Sequence, residues 1–196
     1  MGYSWQLVGG HLALDLVNTV SWQRNPQRTT ERLSDPARLA DWLAAAAPLH
    51  GVRCTLTPPD LHSVAGTNAL TAVRRLRDAG RAALVAHVEQ TSVEARVVQI
   101  IRDGYYQALA AAEVTPELPL RHRIDVTSPS QIETLLGLAL GELCRRHDLD
   151  RLRRCADTDC GWFFLDTSRN HSRRWCDPGD CGNRNRVRAF ADRARN

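Results

Sequence analysis

Apolar side chains recur at steps of three and four residues along most of this sequence, and that spacing predicts a mainly α-helical fold. The first such stretch, Gly9-Gly10-His-Leu-Ala-Leu-Asp-Leu-Val-Asn-Thr-Val20, is a glycine turn followed by an apolar run. Helical spacing suits it better than a strand, with Leu12, Leu16 and Val20 on one face and His11, Asp15, Asn18 and Trp22 in an adjoining polar stripe. A carboxylate and a carboxamide among apolar residues need hydrogen-bond partners once buried. Asp15 and Asn18 therefore either tie neighbouring loops together or, with His11, line a pocket for a small ligand. Residues 23–34 are polar and arginine-bearing and read as a loop.

Asp35-Pro36 is an N-cap followed by proline in the first turn, and Leu39, Trp42, Leu43 and Ala46 carry on a helix expected to end before Pro48. Thr57-Pro-Pro-Asp60 marks the next start. Beyond it Leu61, Val64, Leu70, Val73, Leu76, Leu84 and Val88 predict one long helix or two joined near Gly80. Its Arg74, Arg75, Arg77 and Arg81 are expected to form a solvated or acid-paired face. Residues 93–114 place Val97, Ile100, Ile101, Tyr105 and Leu109 at helical spacing, with Gly104 weakening the middle. After Pro116 and Pro119, residues 120–126 alternate like a half-exposed strand. Ser130-Gln-Ile-Glu133 has the form of a capping box, and Leu135, Leu136, Ala139, Leu140 and Leu143 then predict a helix running to Arg146. Residues 148–154, with Leu149 and Leu152, predict a stiff junction rather than a free linker.

The last forty-odd residues break this pattern. Cys155-Ala-Asp-Thr-Asp-Cys160 and Cys176-Asp-Pro-Gly-Asp-Cys181 share a spacing, and such matched pairs suit a tetrahedral zinc site in which each short loop folds two sulfurs onto one metal. Two disulfides are the alternative. The opening Met1-Gly-Tyr-Ser-Trp-Gln carries no secretory pattern, so a cytoplasmic protein with zinc is the expectation. His171, between the pairs, reads as a loop histidine because four cysteines already fill the coordination sphere. Between the pairs, residues 161–166 give a strand signal, residues 167–172 a turn, and residues 173–176 are expected to return as its partner strand. Trp162, Phe164 and Trp175 supply an apolar core. After Cys181 a helix is expected, with Val187, Phe190, Ala191 and Ala194 on one face. Cys54 and Cys144 are left over and read as buried small hydrophobes.

Composition alters the picture in one respect. The chain has 26 basic residues and no lysine, so every one is arginine. Residues 1–150 hold 15 of them against 16 acids, whereas residues 151–196 hold 11 against 6, so the positive charge sits at the C-terminal end. The apolar runs are too short to cross a bilayer. No phosphate-cradling glycine loop and no nucleophile–base pattern is present, and four cysteines leave a zinc ion no open position, so an enzyme is not expected.

Cys181-Gly-Asn-Arg184, together with Arg154-Cys155, residues 164–168 and Arg174-Trp-Cys176, resembles the CGNR zinc finger of bacterial proteins, and residues 9–19 are similar to the opening of the ABATE domain that precedes it there. The resemblance implies that Cys155, Cys160, Cys176 and Cys181 bind Zn²⁺, that the N-terminal domain is mostly helical, and that the protein has a stress-related transcription-regulator role. The expected architecture is an ABATE-like helical domain over 1–150 with a minor β element, and a treble-clef-like zinc finger over 151–196. The expected partner is DNA, contacted by Arg169, Arg173, Arg174, Arg184, Arg186 and Arg188. About five phosphate contacts would give a log–log salt slope near −4 to −5. The helical domain would sense a small-molecule effector, with His11, Asp15 and Asn18 as candidate contacts, or form a homodimer. A protein-interaction or redox-responsive regulator with purely structural zinc is the alternative.

Overall fold

The computed structural model describes residues 5–195. Seven helices dominate them: α1 (Leu12–Val17), α2 (Pro36–Leu49), α3 (Pro58–Leu61), α4 (Val64–Val88), α5 (Ala95–Ala111), α6 (Pro129–Cys144) and α7 (Cys181–Arg193). Three antiparallel two-stranded ribbons join them: β1 (Val20–Ser21) with β2 (Thr30–Glu31), β3 (Glu113–Val114) with β4 (His122–Arg123), and β5 (Leu152–Arg154) with β6 (Phe163–Leu165). The mainly helical reading with a C-terminal cysteine cluster holds, and no helix among the described residues is long and apolar enough to span a membrane.

Helix α6 is the centre of the core and packs against α4, α5 and α1. Its apolar positions Ile132, Leu135, Leu136, Leu140 and Leu143 are buried. Two of its glycines allow close approach to α5: a Cβ at Gly137 would lie 2.7 Å from the Gly104 carbonyl oxygen, and one at Gly141 only 2.0 Å from the Tyr105 ring. Gly104 is thus a contact point rather than a weak spot. The arginines of α4 are acid-paired or bonded to carbonyls. Arg77 is 4% exposed, donates to Glu31 at 2.7 Å and so fastens β2 to the helix, while Arg75 meets Glu133 and Arg74 donates to the Leu33 carbonyl.

Several local expectations are corrected. Helix α1 stops at Val17, and Val20 enters a strand instead. Helix α2 continues through Pro48 to Leu49, because a proline this near the C-terminus forfeits a single helical hydrogen bond while its carbonyl still accepts from Gly51. Helix α4 crosses Gly80 unbroken, the first of the two alternatives, but starts only at Val64, after the separate α3. The capping box lies two residues earlier than the motif suggests, between Ser128 and Gln131. Only His122–Arg123 of the alternating stretch pair as a strand. Cys144 is exposed and Cys54 half-buried.

The largest correction concerns the hairpin. Strand β6 pairs with β5, upstream of the first cysteine, in the register Leu152↔Leu165, Arg153↔Phe164 and Arg154↔Phe163, and not with residues 173–176. The expected junction is therefore itself a strand, and the first cysteine pair sits at the tip of the ribbon.

Candidate metal centre

Each cysteine pair is closed by an aspartate that folds its own loop. Asp157 Oδ1 accepts the amides of Asp159 at 3.0 Å and Cys160 at 3.1 Å, and Asp177 Oδ1 accepts those of Gly179 at 2.7 Å and Asp180 at 3.2 Å. Such side-chain-to-backbone bonds hold a turn without regular structure. They bring the sulfurs of Cys155, Cys160, Cys176 and Cys181, all buried, within 4.8 Å of one another.

The donor set fits a tetrahedral metal. Zinc–sulfur bonds of about 2.3 Å imply sulfur–sulfur edges of about 3.8 Å, and the Cys160–Cys176 and Cys176–Cys181 pairs lie at 3.6 and 3.5 Å. None of the six cysteines is in a disulfide. The crowding sets the protonation: neighbouring sulfurs and burial push the Cys160 and Cys176 thiols up, while the side chains of Cys160, Cys176 and Cys181 pull Cys155 down by hydrogen bonding to it. All four sulfurs can be thiolates in this space only with a cation bound among them. His171 is exposed and stands apart from the cluster.

Around the sulfurs runs a polar shell that orients them. The Cys176 amide donates to Cys155 Sγ at 3.4 Å, and Arg184 Nη2 donates to Cys181 Sγ at 2.9 Å. Asp157, fully buried, also accepts from Asn185 at 2.7 Å and lies within 3.6 Å of Arg184 and 3.7 Å of Arg188. The guanidinium of Arg184 also pairs with Asp180 and sits 4.6 Å above the Trp22 ring. Gly182 packs closely, since a Cβ there would be 3.1 Å from the Trp175 indole. The cluster's apolar neighbours are Trp162, Phe164, Trp175 and, from the other end of the chain, Val8.

This centre is bound to the N-terminal motif by a row of hydrogen bonds. Asn18 clasps the Phe163 backbone from both sides, Nδ2 donating to its carbonyl at 2.8 Å and Oδ1 accepting its amide at 2.9 Å. The Leu165 amide donates to the Gly9 carbonyl, the Gln23 amide to that of Cys160, and Trp162 Nε1 to that of Val20. Gly161, at φ +78°, leaves no room for a side chain against Gln23.

The candidate contact residues divide accordingly. Arg169, Arg174 and Arg186 are exposed. Arg173 is turned inward, donating to the carbonyls of Trp175, Cys176 and Val8 with its guanidinium 4.2 Å over Phe164. Arg188 is held by Asp159 at 3.2 Å, and Arg184 as described. Of the N-terminal candidates, Asp15 accepts the Gly9 amide and His50 Nε2, each at 2.8 Å, Asn18 holds Phe163, and His11 lines a cavity. Asp157, Asn185 and Trp22 are supporting residues that the cysteine spacing does not reveal.

Comparison with protein families gives two matches in chain order. The ABATE model, described as "Putative stress-induced transcription regulator", matches residues 10–145, and the CGNR zinc finger model matches residues 151–194. No curated protein matches the chain.

Proposed function

Because the chain belongs to the ABATE family and carries a CGNR zinc finger behind that domain, we propose that it is a zinc-dependent transcription regulator acting on DNA in the cytoplasm. In this reading Zn²⁺ sits on Cys155, Cys160, Cys176 and Cys181 and holds the finger in shape. Residues 151–196 then form the DNA-contacting unit, and residues 1–150 sense an effector or dimerise. The observation that carries the reading is a buried four-sulfur cluster inside the chain's one basic segment.

With Arg173, Arg184 and Arg188 engaged internally, direct phosphate contacts fall first to Arg169, Arg174 and Arg186. Three contacts give a salt slope of about −3. An electrophoretic shift with genomic fragments, repeated across salt concentrations and after chelation, tests this. A shift at low salt that is lost on chelation supports the reading; no shift at low salt defeats it.

One observation favours the alternative regulator with purely structural zinc. Helix α7 leaves Val187 60% and Phe190 70% exposed rather than buried under the finger. An apolar strip of that kind suits a protein partner, and absence of DNA binding by the zinc-loaded protein would leave it as the preferred reading.

A further inference from the structure

A cavity of about 310 Å³ opens between the start of α1, the end of α2, β4 and α6. Its floor is apolar, with Leu12, Ile124, Leu135 and Leu138. Most of the polar groups that reach it are already committed. His11 Nδ1 accepts the Ala13 amide, and burial, helped by Arg146 and His50, brings its pKa down to about 4, so it is neutral. His50 is bonded to Asp15. The Arg123 guanidinium is shared between Glu113 at 2.6 Å and Asp125 at 3.5 Å.

Two groups remain, His122 and Glu142, whose side chains have no hydrogen-bond or ion-pair partner among the described residues. Burial raises the Glu142 carboxyl, with His122 and Arg145 opposing the rise. A carboxyl group with no hydrogen-bond or ion-pair partner among the described residues, set beside the neutral His11 at an apolar lining, is complementary to a cationic hydrogen-bond donor on an apolar body. An anion would meet Glu142 and find Arg123 taken.

The cavity also has a direct line to the finger. His50 Nε2 is 2.8 Å from Asp15 Oδ2, Asp15 Oδ1 accepts the Gly9 amide at 2.8 Å, and the Gly9 carbonyl accepts the Leu165 amide of β6 at 2.9 Å. We propose that this cavity binds a small primary amine with an apolar body through Glu142, and that the line from His50 through Asp15 and Gly9 carries its occupancy to strand β6. The proposal deepens the sensing role assigned above to the helical part and rests on it.

The test uses the full zinc-loaded chain, ¹⁵N-labelled, titrated with benzylamine and separately with benzoate, which has the same ring and the opposite charge. Saturable shifts at the amides of Gly51 and Val52 and at those of Gly9 and Leu165 are expected with benzylamine and not with benzoate. Glu142→Gln should weaken benzylamine by about tenfold or more, the scale of one hydrogen bond to a charged group. His50→Ala, which removes the donor to Asp15, should keep the cavity shifts and silence Leu165. No saturation with benzylamine, or equal response to benzoate, overturns the site; a Leu165 shift that survives His50→Ala overturns the line. Because no DNA is present, failure of DNA binding leaves this result unaffected.

Discussion

The helical part and the finger keep their shape by opposite means. The first buries a continuous apolar cluster from Leu12 to Leu143, to which Leu152, Phe163 and Leu165 of the finger also contribute. The second has a separate core of only six buried residues, four of them cysteines. Apolar burial is cumulative and tolerates the loss of one member; a metal site is all or nothing. The finger is therefore expected to depend on a bound ion, and on the helical part through the atoms they share, while the helical part needs no ion and takes only Leu152, Phe163 and Leu165 from the finger.

The sharpest break of that contrast is Cys176→Ser. It should abolish stoichiometric zinc by metal analysis and unfold the finger, since structural zinc in finger peptides contributes about 10–16 kcal/mol, while most helical circular dichroism survives. Loss of the helical signal as well would show the two parts to be one cooperative unit. The reverse experiment is Leu136→Ala, fully buried on α6. It should cost about 2–5 kcal/mol in denaturant unfolding and leave zinc content unchanged.

Between these lies Asn18→Ala. It strands the buried amide and carbonyl of Phe163, at about 1–3 kcal/mol for each group left unpaired. It should speed zinc release to a chelator more than it lowers helical stability. The smallest effect is a pH slope. His11 has its pKa lowered from 6.5 to about 4, so the folded state binds a proton less readily than the unfolded chain. The stability it lends is present above pH 6.5 and is lost as pH falls towards 4, amounting to about 3 kcal/mol at most. His11→Asn keeps an N-cap acceptor and should flatten that slope in unfolding curves of the helical part. Acid sensitivity that remains in the helical part belongs to carboxyls held below their usual range, such as Asp35, which accepts the Arg38 amide.

What the sequence made legible was local. The cysteine pairs stand out because both chelating loops are short, and α4, α5 and α6 because their apolar positions recur over many turns. Partnership was not legible. A strand signal at residues 161–166 does not say that Leu152–Arg154, and not residues 173–176, will pair with it. Counting arginines does not show that Asp157, Asp159 and a cysteine sulfur absorb Arg184 and Arg188, nor that carbonyls absorb Arg173. Val187 and Phe190 fall on one helical face as expected, but that face meets solvent, and α7 is buried only at Cys181 and Gly182 while its polar Arg184, Asn185 and Arg188 hold the finger. The polar stripe of α1 was visible as a demand for partners; only the fold identifies Phe163 and Gly9 as the answer.

The clasp of Asn18 on Phe163 joins residues 145 apart. During synthesis Asn18 emerges early, and its partner leaves the ribosome only after the whole of α4, α5 and α6 has been made. A contact of that sequence separation closes late. The helical core can begin to form first, with its binding edge unfilled, so that seating of residues 152–165 on it comes late and reports that the cysteine segment has been made and folded.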